Sequence, residues 1–309
     1  MKEVSRAARR RHGEPSAAGP GGPAVSVPAA PVPAAPVPAA PTRTTTAPAV
    51  PGVPRPAPAP AAEHDDGPYT VHLARDEADV RAAQRLRHEV FAGELGARLA
   101  GPEPGLDIDP FDAHCDHLLV RERTGGRVVG TYRLLPPERA RVAGRLYSEG
   151  EFEMDGLLDG AGLRGDLVEA GRSCVHPDHR DGAVIALMWA GIARYLVDTG
   201  HDWLGGCCSL PLADGGALAA GVWDAVAERH LAPAEHRVRP RRPWRHEGVP
   251  RSPRTVLPPL LRGYLRLGAK VCGEPAHDPE FGVADLYVLL SLRDTNPRYL
   301  RHFLSLVPR

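Results

Sequence analysis

The chain lacks any run of about 18 apolar residues, so no helical membrane span is expected. No secretory leader is expected either, because Arg9-Arg10-Arg11 leads into proline and alanine rather than into an apolar stretch with a cleavage site. Its five cysteines (Cys115, Cys174, Cys207, Cys208 and Cys272) are odd in number and show no C-x-x-C spacing. That pattern speaks against a disulfide framework or a zinc site and for reduced thiols. Neither sign of charge dominates: 38 basic and 38 acidic side chains give a net charge of zero and a pI near 7.3, so whole-chain charge names no partner. The acids and histidines show no ligand spacing, and no metal is expected. Together these absences predict a cytoplasmic protein.

What is abundant is proline, and it is unevenly spread. Fifteen of the 34 prolines fall in residues 1–62, in runs such as Pro31 to Pro41 that offer no bulky side chain to a core. Such a segment cannot offset the entropy of ordering, so residues 1–66 are expected to be a disordered Pro/Ala-rich tail. The remaining 243 residues (67–309) suffice for one compact domain. Tyr69, Val71 and Leu73 alternate as in a strand, and Ala78 to Phe91 repeats at helical spacing. Two strand-like runs, His117–Arg123 and Arg127–Leu135, meet across Thr124-Gly125-Gly126 as a hairpin. After an irregular stretch, a strand over Leu167–Val175 leads into an apolar helix from about Ala183 to Val197. A strand (Trp203–Leu210), a helix (Gly215–Arg229), a helix begun by Pro258-Pro259, a strand (Val283–Leu292) and a helix capped by Asn296 follow. This order predicts an α/β layered domain with a mixed sheet and a C-terminal helical extension.

The join after Val175 is the most informative. A helix starting there presents backbone N–H groups near Asp181, Gly182, Ala183 and Val184 and the positive end of its dipole, and Arg180 adds a side-chain donor, so a phosphate can dock. An ordinary turn using Gly182 is the simpler reading. The strand before it carries Glu169, Arg172 and Ser173 where apolar residues belong, and buried charges need a reason. A carboxylate beside a phosphate-binding turn can hold an amine and accept its proton; a structural Glu169–Arg172 pair is the alternative. In a regular strand Glu169, Gly171 and Ser173 share one face and Arg172 and Cys174 the other, unless Gly171 permits a bulge. Arg87 and Phe91 share a helical face, Asp109, Phe111, Asp112, Asp116 and His117 form an acidic stretch, and Arg133 sits on a strand. His117 and His176 read as structural imidazoles. Residues 237–254 hold seven arginines, Trp244 and a single acid, Glu247; a solvated Arg/Pro-rich loop is the simple reading, and an acidic carrier protein or an anionic membrane face suits the charge better than nucleic acid, for which no motif is present. Beside them Leu260, Leu261, Tyr264, Leu265 and Val271 make an apolar helical surface.

The run Glu169-Ala170-Gly171-Arg172-Ser173-Cys174-Val175-His176-Pro177, then Arg180-Asp181-Gly182 and an apolar helix, resembles the ornithine N-acyltransferases that use acyl carrier protein, a hemolysin-like branch of the GNAT superfamily. Residues 259–269, then Gly273 to Asp278, Phe281 and Asp285, resemble that branch's C-terminal signature. The related acyl-homoserine-lactone synthases show patterns similar to Arg87 with Phe91, Asp109-Pro110-Phe111-Asp112, Arg133, and Glu169 with Arg172. The resemblance implies a GNAT-like mixed central sheet flanked by helices and direct transfer of a 3-hydroxyacyl group from the carrier thioester to the α-amine of ornithine. It implies Glu169 as amine-orienting residue or base, Arg133 and Arg172 on carboxylate or acyl oxygen, and Asp109 and Asp112 on the cationic acceptor. It also implies that Arg87, Phe91 and Ser173 line the substrate site. Val175, Arg180, Gly182, Ala183 and Val184 take the phosphopantetheine; no bound cofactor is implied, and peripheral membrane contact is a further expectation. The superfamily's pyrophosphate loop, aligned from Arg180, meets Ala183 and Ile185 where small residues belong, which disfavours coenzyme A relative to a phosphopantetheine arm. Three rival readings remain: another amine or an acyl-CoA donor, Cys174 as a covalent nucleophile, and a non-catalytic carrier- or membrane-binding module.

Overall fold

The computed structural model describes residues 67–307 apart from 100, 181 and 253, so the Pro/Ala-rich segment with Arg9–Arg11, Asp181 and Pro253 lie outside the described residues. The alternating segment forms β1 (Tyr69–Leu73) at a sheet edge. The helical repeat forms α1 (Glu77–His88), whose first turn is capped by Asp76 accepting the Asp79 N–H at 2.9 Å and which runs on as a π turn to Glu94. The hairpin is β2 (Asp116–Glu122) with β3 (Val128–Leu135). Next comes α2 (Pro137–Ala143), a helix the sequence reading passed over although Pro137 at its start and Glu138 in its first turn are regular opening signals. A short ribbon pairs β4 (Phe152–Glu153) with β7 (Arg239–Pro240). β5 (Leu167–Val175) precedes α3 (Ala183–Thr199), and β6 (Trp203–Pro211) precedes α4 (Ala217–Arg229). The C-terminal part, expected as a helical extension, supplies sheet as well. After α5 (Pro259–Leu267) come β8 (Lys270–Val271), β9 (Ala276–Asp278) and β10 (Val283–Ser291), then α6 (Pro297–Leu306).

The main sheet has eight strands in the order β1-β2-β3-β5-β6-β10-β8, with β9 also on β10. All these neighbours are antiparallel except β5 and β6, which run parallel and pair over just Leu167–Trp203, Val168–Leu204 and Glu169–Gly205. Beyond that point β5 follows β3 and β6 follows β10, so the sheet splits between them toward the starts of α3 and α4. Gly206 stands at the fork: a Cβ there would run into the Ala170 carbonyl. One face packs Leu118, Leu134, Val168 and Leu286 against Trp189 and Ile192 of α3, Val222 of α4 and Leu261 of α5. On the other face Leu119 and Val128 meet Ala83 and Leu86 of α1, while Leu135, Leu167 and Leu289 meet Phe152 and Leu157. Among the described residues no helix is long and apolar enough to cross a membrane.

Candidate active site

The ladder between β3 and β5 pairs Leu135 with Glu169, Leu134 with Ala170 and Arg133 with Gly171, then jumps to Thr131 with Cys174. The jump is a bulge, and inside it Arg172 has φ near 50°, the one non-glycine residue in the left-handed region among the described residues. Such a backbone costs about 1–3 kcal/mol, which the surroundings must hold in place. Its effect is directional. Three residues apart on a regular strand, Glu169 and Arg172 would face opposite ways; here both meet Tyr147, the former at its backbone N–H and the latter with its guanidinium 5.3 Å from the ring centre.

Glu169 does not pair with Arg172. Its two carboxylate oxygens accept the N–H groups of Tyr147 at 2.6 Å and Ser148 at 2.8 Å, and the side chain is buried. Burial raises its pKa, and a hydrogen bond from the Ser148 side chain together with these two offsets only part of the rise.

The acidic connection does not stay free for a substrate cation. Arg87, wholly buried, binds Asp107 at 2.9 Å and Asp112 at 2.6 Å; Arg133 binds Asp109 at 2.5 Å and Asp112 at 3.0 Å; Arg172 reaches Asp109 at 3.2 Å. Three guanidinium groups thus meet three carboxylates, and the cluster is close to neutral. Burial alone would raise the pKa of both acids, but Arg87 and Arg133 hold Asp112 well below the usual range, and Arg133 and Arg172 lower Asp109. The expectation that Asp109 and Asp112 hold a cationic acceptor is therefore corrected: their charge is spent on arginines, and Arg87 is a buried anchor of that cluster rather than a group lining a cavity. Phe91 meets Phe281 edge-on at 6.0 Å, and Phe281 covers the Arg172 guanidinium at 4.9 Å.

A second acidic group stands further along the same sheet face. Oxygens of Glu151, Asp278 and Asp285 lie within 4.8 Å of one another, and among the described residues no cationic side chain forms a salt bridge with them. Ser209 donates to Asp285 at 2.6 Å. The Cys207 thiol contacts the Ser148 hydroxyl at 3.4 Å and Glu151 at 3.6 Å, which links the loop holding Glu169 to the trio. Burial, reinforced by the neighbouring carboxylates, pushes Glu151 up to about 8 and Asp285 to about 6. Glu151, with Tyr147 and Ser148, escaped the sequence reading because it sits in an irregular segment. Asp285 carried a signal: it is an acid inside an otherwise apolar strand, as Glu169 is.

Ser173 lies beside the Tyr132 hydroxyl, which contacts that of Tyr264 where the sheet splits. Tyr132, Ala170, Leu204, Cys208 and Tyr264 line a cavity there of about 10 Å³ with mixed polar and apolar walls, room for roughly one water. Arg180 donates to the Val175 carbonyl at 3.1 and 3.0 Å and to both oxygens of Glu94 at 2.7 and 2.6 Å, so it braces the turn. Gly182, at φ 103°, opens α3, and Ala183 and Val184 form its first turn. Cys174 is buried, and that burial pushes its thiol up to about 12, which leaves no thiolate for nucleophilic attack near neutral pH. His117 is buried with Nε2 3.2 Å from the Asp112 carbonyl, and His176 accepts the Asp178 N–H at 3.3 Å.

Residues 86–190 match the family model of the acetyltransferase (GNAT) domain. The chain is 38% identical over 248 residues to the L-ornithine N(alpha)-acyltransferase of Rhodobacter capsulatus, covering 75% of this chain and 93% of that one. It is 36% identical over 259 residues to the protein of the same name from Rhizobium meliloti, covering 75% and 82%. Among solved structures it is similar to a CoA-dependent acyl-homoserine lactone synthase at 19% identity, with 75% and 89% of the two chains covered and a TM-score of 0.43.

Proposed function

Because the chain belongs to the GNAT acyltransferases, in the family of the L-ornithine N(alpha)-acyltransferases, we propose that it acylates the α-amine of L-ornithine. The donor is a 3-hydroxyacyl group on the phosphopantetheine of acyl carrier protein, and the product is a lyso-ornithine lipid, the first step of ornithine lipid synthesis at the cytoplasmic face of the membrane. The observation that carries this reading is the line of carboxylates on one sheet face, from Glu169 past Ser148 and Cys207 to Glu151, Asp278 and Asp285. It suits an acceptor with two amines on one short chain. The side-chain ammonium settles in the trio, where it replaces the missing counter-charge. The α-amine lies at Glu169, and the α-carboxylate at Arg172, with Arg133 behind it.

Glu169 takes a proton from the α-ammonium, directly or through one water, and its raised pKa suits that task. The amine nitrogen then attacks the thioester carbon, and a backbone N–H at the bulged end of β5 steadies the oxyanion. The attack has formed the C–N bond; collapse breaks the C–S bond, the departing thiolate takes the second proton shed by the nitrogen, which leaves a neutral amide, and Glu169 returns the first proton to solvent. No covalent enzyme intermediate is needed, in keeping with the inert Cys174. The donor arm enters through the split between β5 and β6, its phosphate held at the start of α3 by Gly182, Ala183 and Val184, in the turn that Arg180 braces through Glu94 and the Val175 carbonyl. Ala183 and Ile185 in place of smaller residues favour one phosphate over a pyrophosphate.

The purified protein is incubated with acyl carrier or coenzyme A thioesters and a panel of amino acids and polyamines, and products are identified by mass spectrometry. Acyl-ornithine formed from the carrier thioester is expected. Activity confined to coenzyme A thioesters, or to acceptors with one amine, overturns this reading.

A further inference from the structure

We propose that the arginine strap 239–254 is the surface on which the acidic carrier protein docks; this rests on the donor reading above. The strap is held firmly to the fold. Its start pairs with β4, the Arg242 carbonyl accepts the His277 N–H of β9 at 2.8 Å, and the Trp244 N–H donates to the Pro275 carbonyl at 2.9 Å. The Trp244 ring then lies so close over Gly216, the residue that opens α4, that a Cβ there would collide with it. Arg251 binds Asp224 of α4 at 2.8 and 3.0 Å, and Thr255 packs on Gly221 of the same helix.

Two strap arginines are spent on this attachment: Arg251, and Arg241, which donates to the Glu149 carbonyl at 2.8 Å. Arg239, Arg242, Arg245 and Arg254 are exposed, and among the described residues none forms a salt bridge; the one acid of the stretch, Glu247, lies close enough to feel the charge of Arg245 without bonding to it. These charges stand beside the donor's door. The split between β5 and β6 opens toward the starts of α3 and α4, and the strap lies over the start of α4. On the opposite bank Arg180 is already neutralised by Glu94.

A chain with zero net charge thus concentrates unpaired positive charge on one bank of the entrance, a layout that steers an acidic protein surface toward it. A lipid surface fits less well. Interfacial binding needs several apolar side chains to insert, and among the described residues of 237–254 no large apolar side chain is exposed, Val256 just beyond the strap standing alone.

The test compares the full-length protein with the triple variant Arg242→Glu/Arg245→Glu/Arg254→Glu, using one acyl group on acyl carrier protein and on free pantetheine. With the carrier thioester, kcat/KM of the variant is expected to fall about tenfold or more at low salt and to lose most of its salt dependence. With acyl-pantetheine it is expected to stay at the wild-type value, which also reports an intact fold. The docking surface is refuted if the variant keeps its rate with the carrier thioester, or if both donors lose rate equally. It is also refuted if the variant loses only its sedimentation with phosphatidylglycerol vesicles. If the wild type itself turns over acyl-pantetheine and ignores the carrier thioester, the donor reading has failed, and the docking proposal with it.

Discussion

Glu169 has given up water but kept hydrogen bonds: two backbone amides, Tyr147 and Ser148, hold its oxygens while burial raises its pKa. Glutamine in its place offers one carbonyl oxygen to the Tyr147 and Ser148 amides and the Ser148 hydroxyl, so Glu169→Gln is expected to cost about 1–3 kcal/mol of stability. It also removes the proton acceptor, and kcat is expected to fall about 10²- to 10⁴-fold with the fold retained. Steady-state kinetics beside a thermal melt separate the two effects, and unimpaired turnover would sink the base assignment. Asp112 behaves differently. It faces both Arg87 and Arg133, so Asp112→Asn strands buried positive charge and is expected to cost about 3–5 kcal/mol in a denaturant titration. A loss below about 1 kcal/mol would mean that the arginines do not depend on it. Residue types alone exposed Glu169 and Arg172, since a strand due for burial should not carry them. They misled over Asp109 and Asp112, because an acid-rich loop looks the same whether a ligand or the chain's own arginines will neutralise it. The answer depends on Arg133, 21 residues beyond Asp112, sharing its side of the sheet.

Alternation, helical spacing and, for α6, the Asn296-Pro297 start signal were enough to place β1, the β2–β3 hairpin, β5, β6, β10 and the four longer helices near their observed bounds. The two-residue strands β4, β7 and β8 had no such pattern; they exist because a partner backbone is there to pair with. The bulge was legible only as an option at Gly171, and the structure puts the strained residue one place later, at Arg172, whose side chain is held by Asp109, Tyr147 and Phe281. The fork of the sheet was not legible, because where a parallel pair parts is decided by backbones far apart in sequence. Gly206 is the exposed point of that element. Gly206→Ala presses a methyl group on the Ala170 carbonyl and is expected to destabilise by about 1–3 kcal/mol, read by chemical denaturation. The same change pushes β5 from β6 and is expected to raise KM for the acyl donor more than for ornithine. Equal effects on both substrates would detach the fork from donor binding.

For the whole molecule, the carboxylate trio sets stability against function. Glu151 and Asp285 have ordinary values of 4.5 and 3.8 in the unfolded chain and are pushed up to about 8 and about 6 in the fold, chiefly by burial. Below pH 3.8 both states hold these protons, and the pair leaves the balance untouched. As pH rises through 3.8 to 4.5 the unfolded chain releases them while the fold keeps them, so stability declines until the folded groups ionise in turn, and the loss is complete above pH 8. The double variant Glu151→Gln/Asp285→Asn lacks that slope. Its melting temperature, measured by calorimetry, is expected to gain on the wild type steadily from pH 4 to pH 8, by about 2–4 °C for each kcal/mol recovered. The histidines His72 and His117, whose pKa burial lowers, act on both proteins alike and cancel in the difference. L-Ornithine should reverse the ranking: its ammonium stabilises the ionised pair, so it raises the wild-type melting temperature more at pH 8 than at pH 6 and leaves the variant's unmoved. Ornithine KM in the wild type should fall over the same interval and rise about tenfold or more in the variant, the loss expected when one partner of a buried charge pair is removed. A variant less stable than the wild type at pH 8 without ligand would show that the chain already neutralises the trio, and the acceptor's second amine would then need another seat.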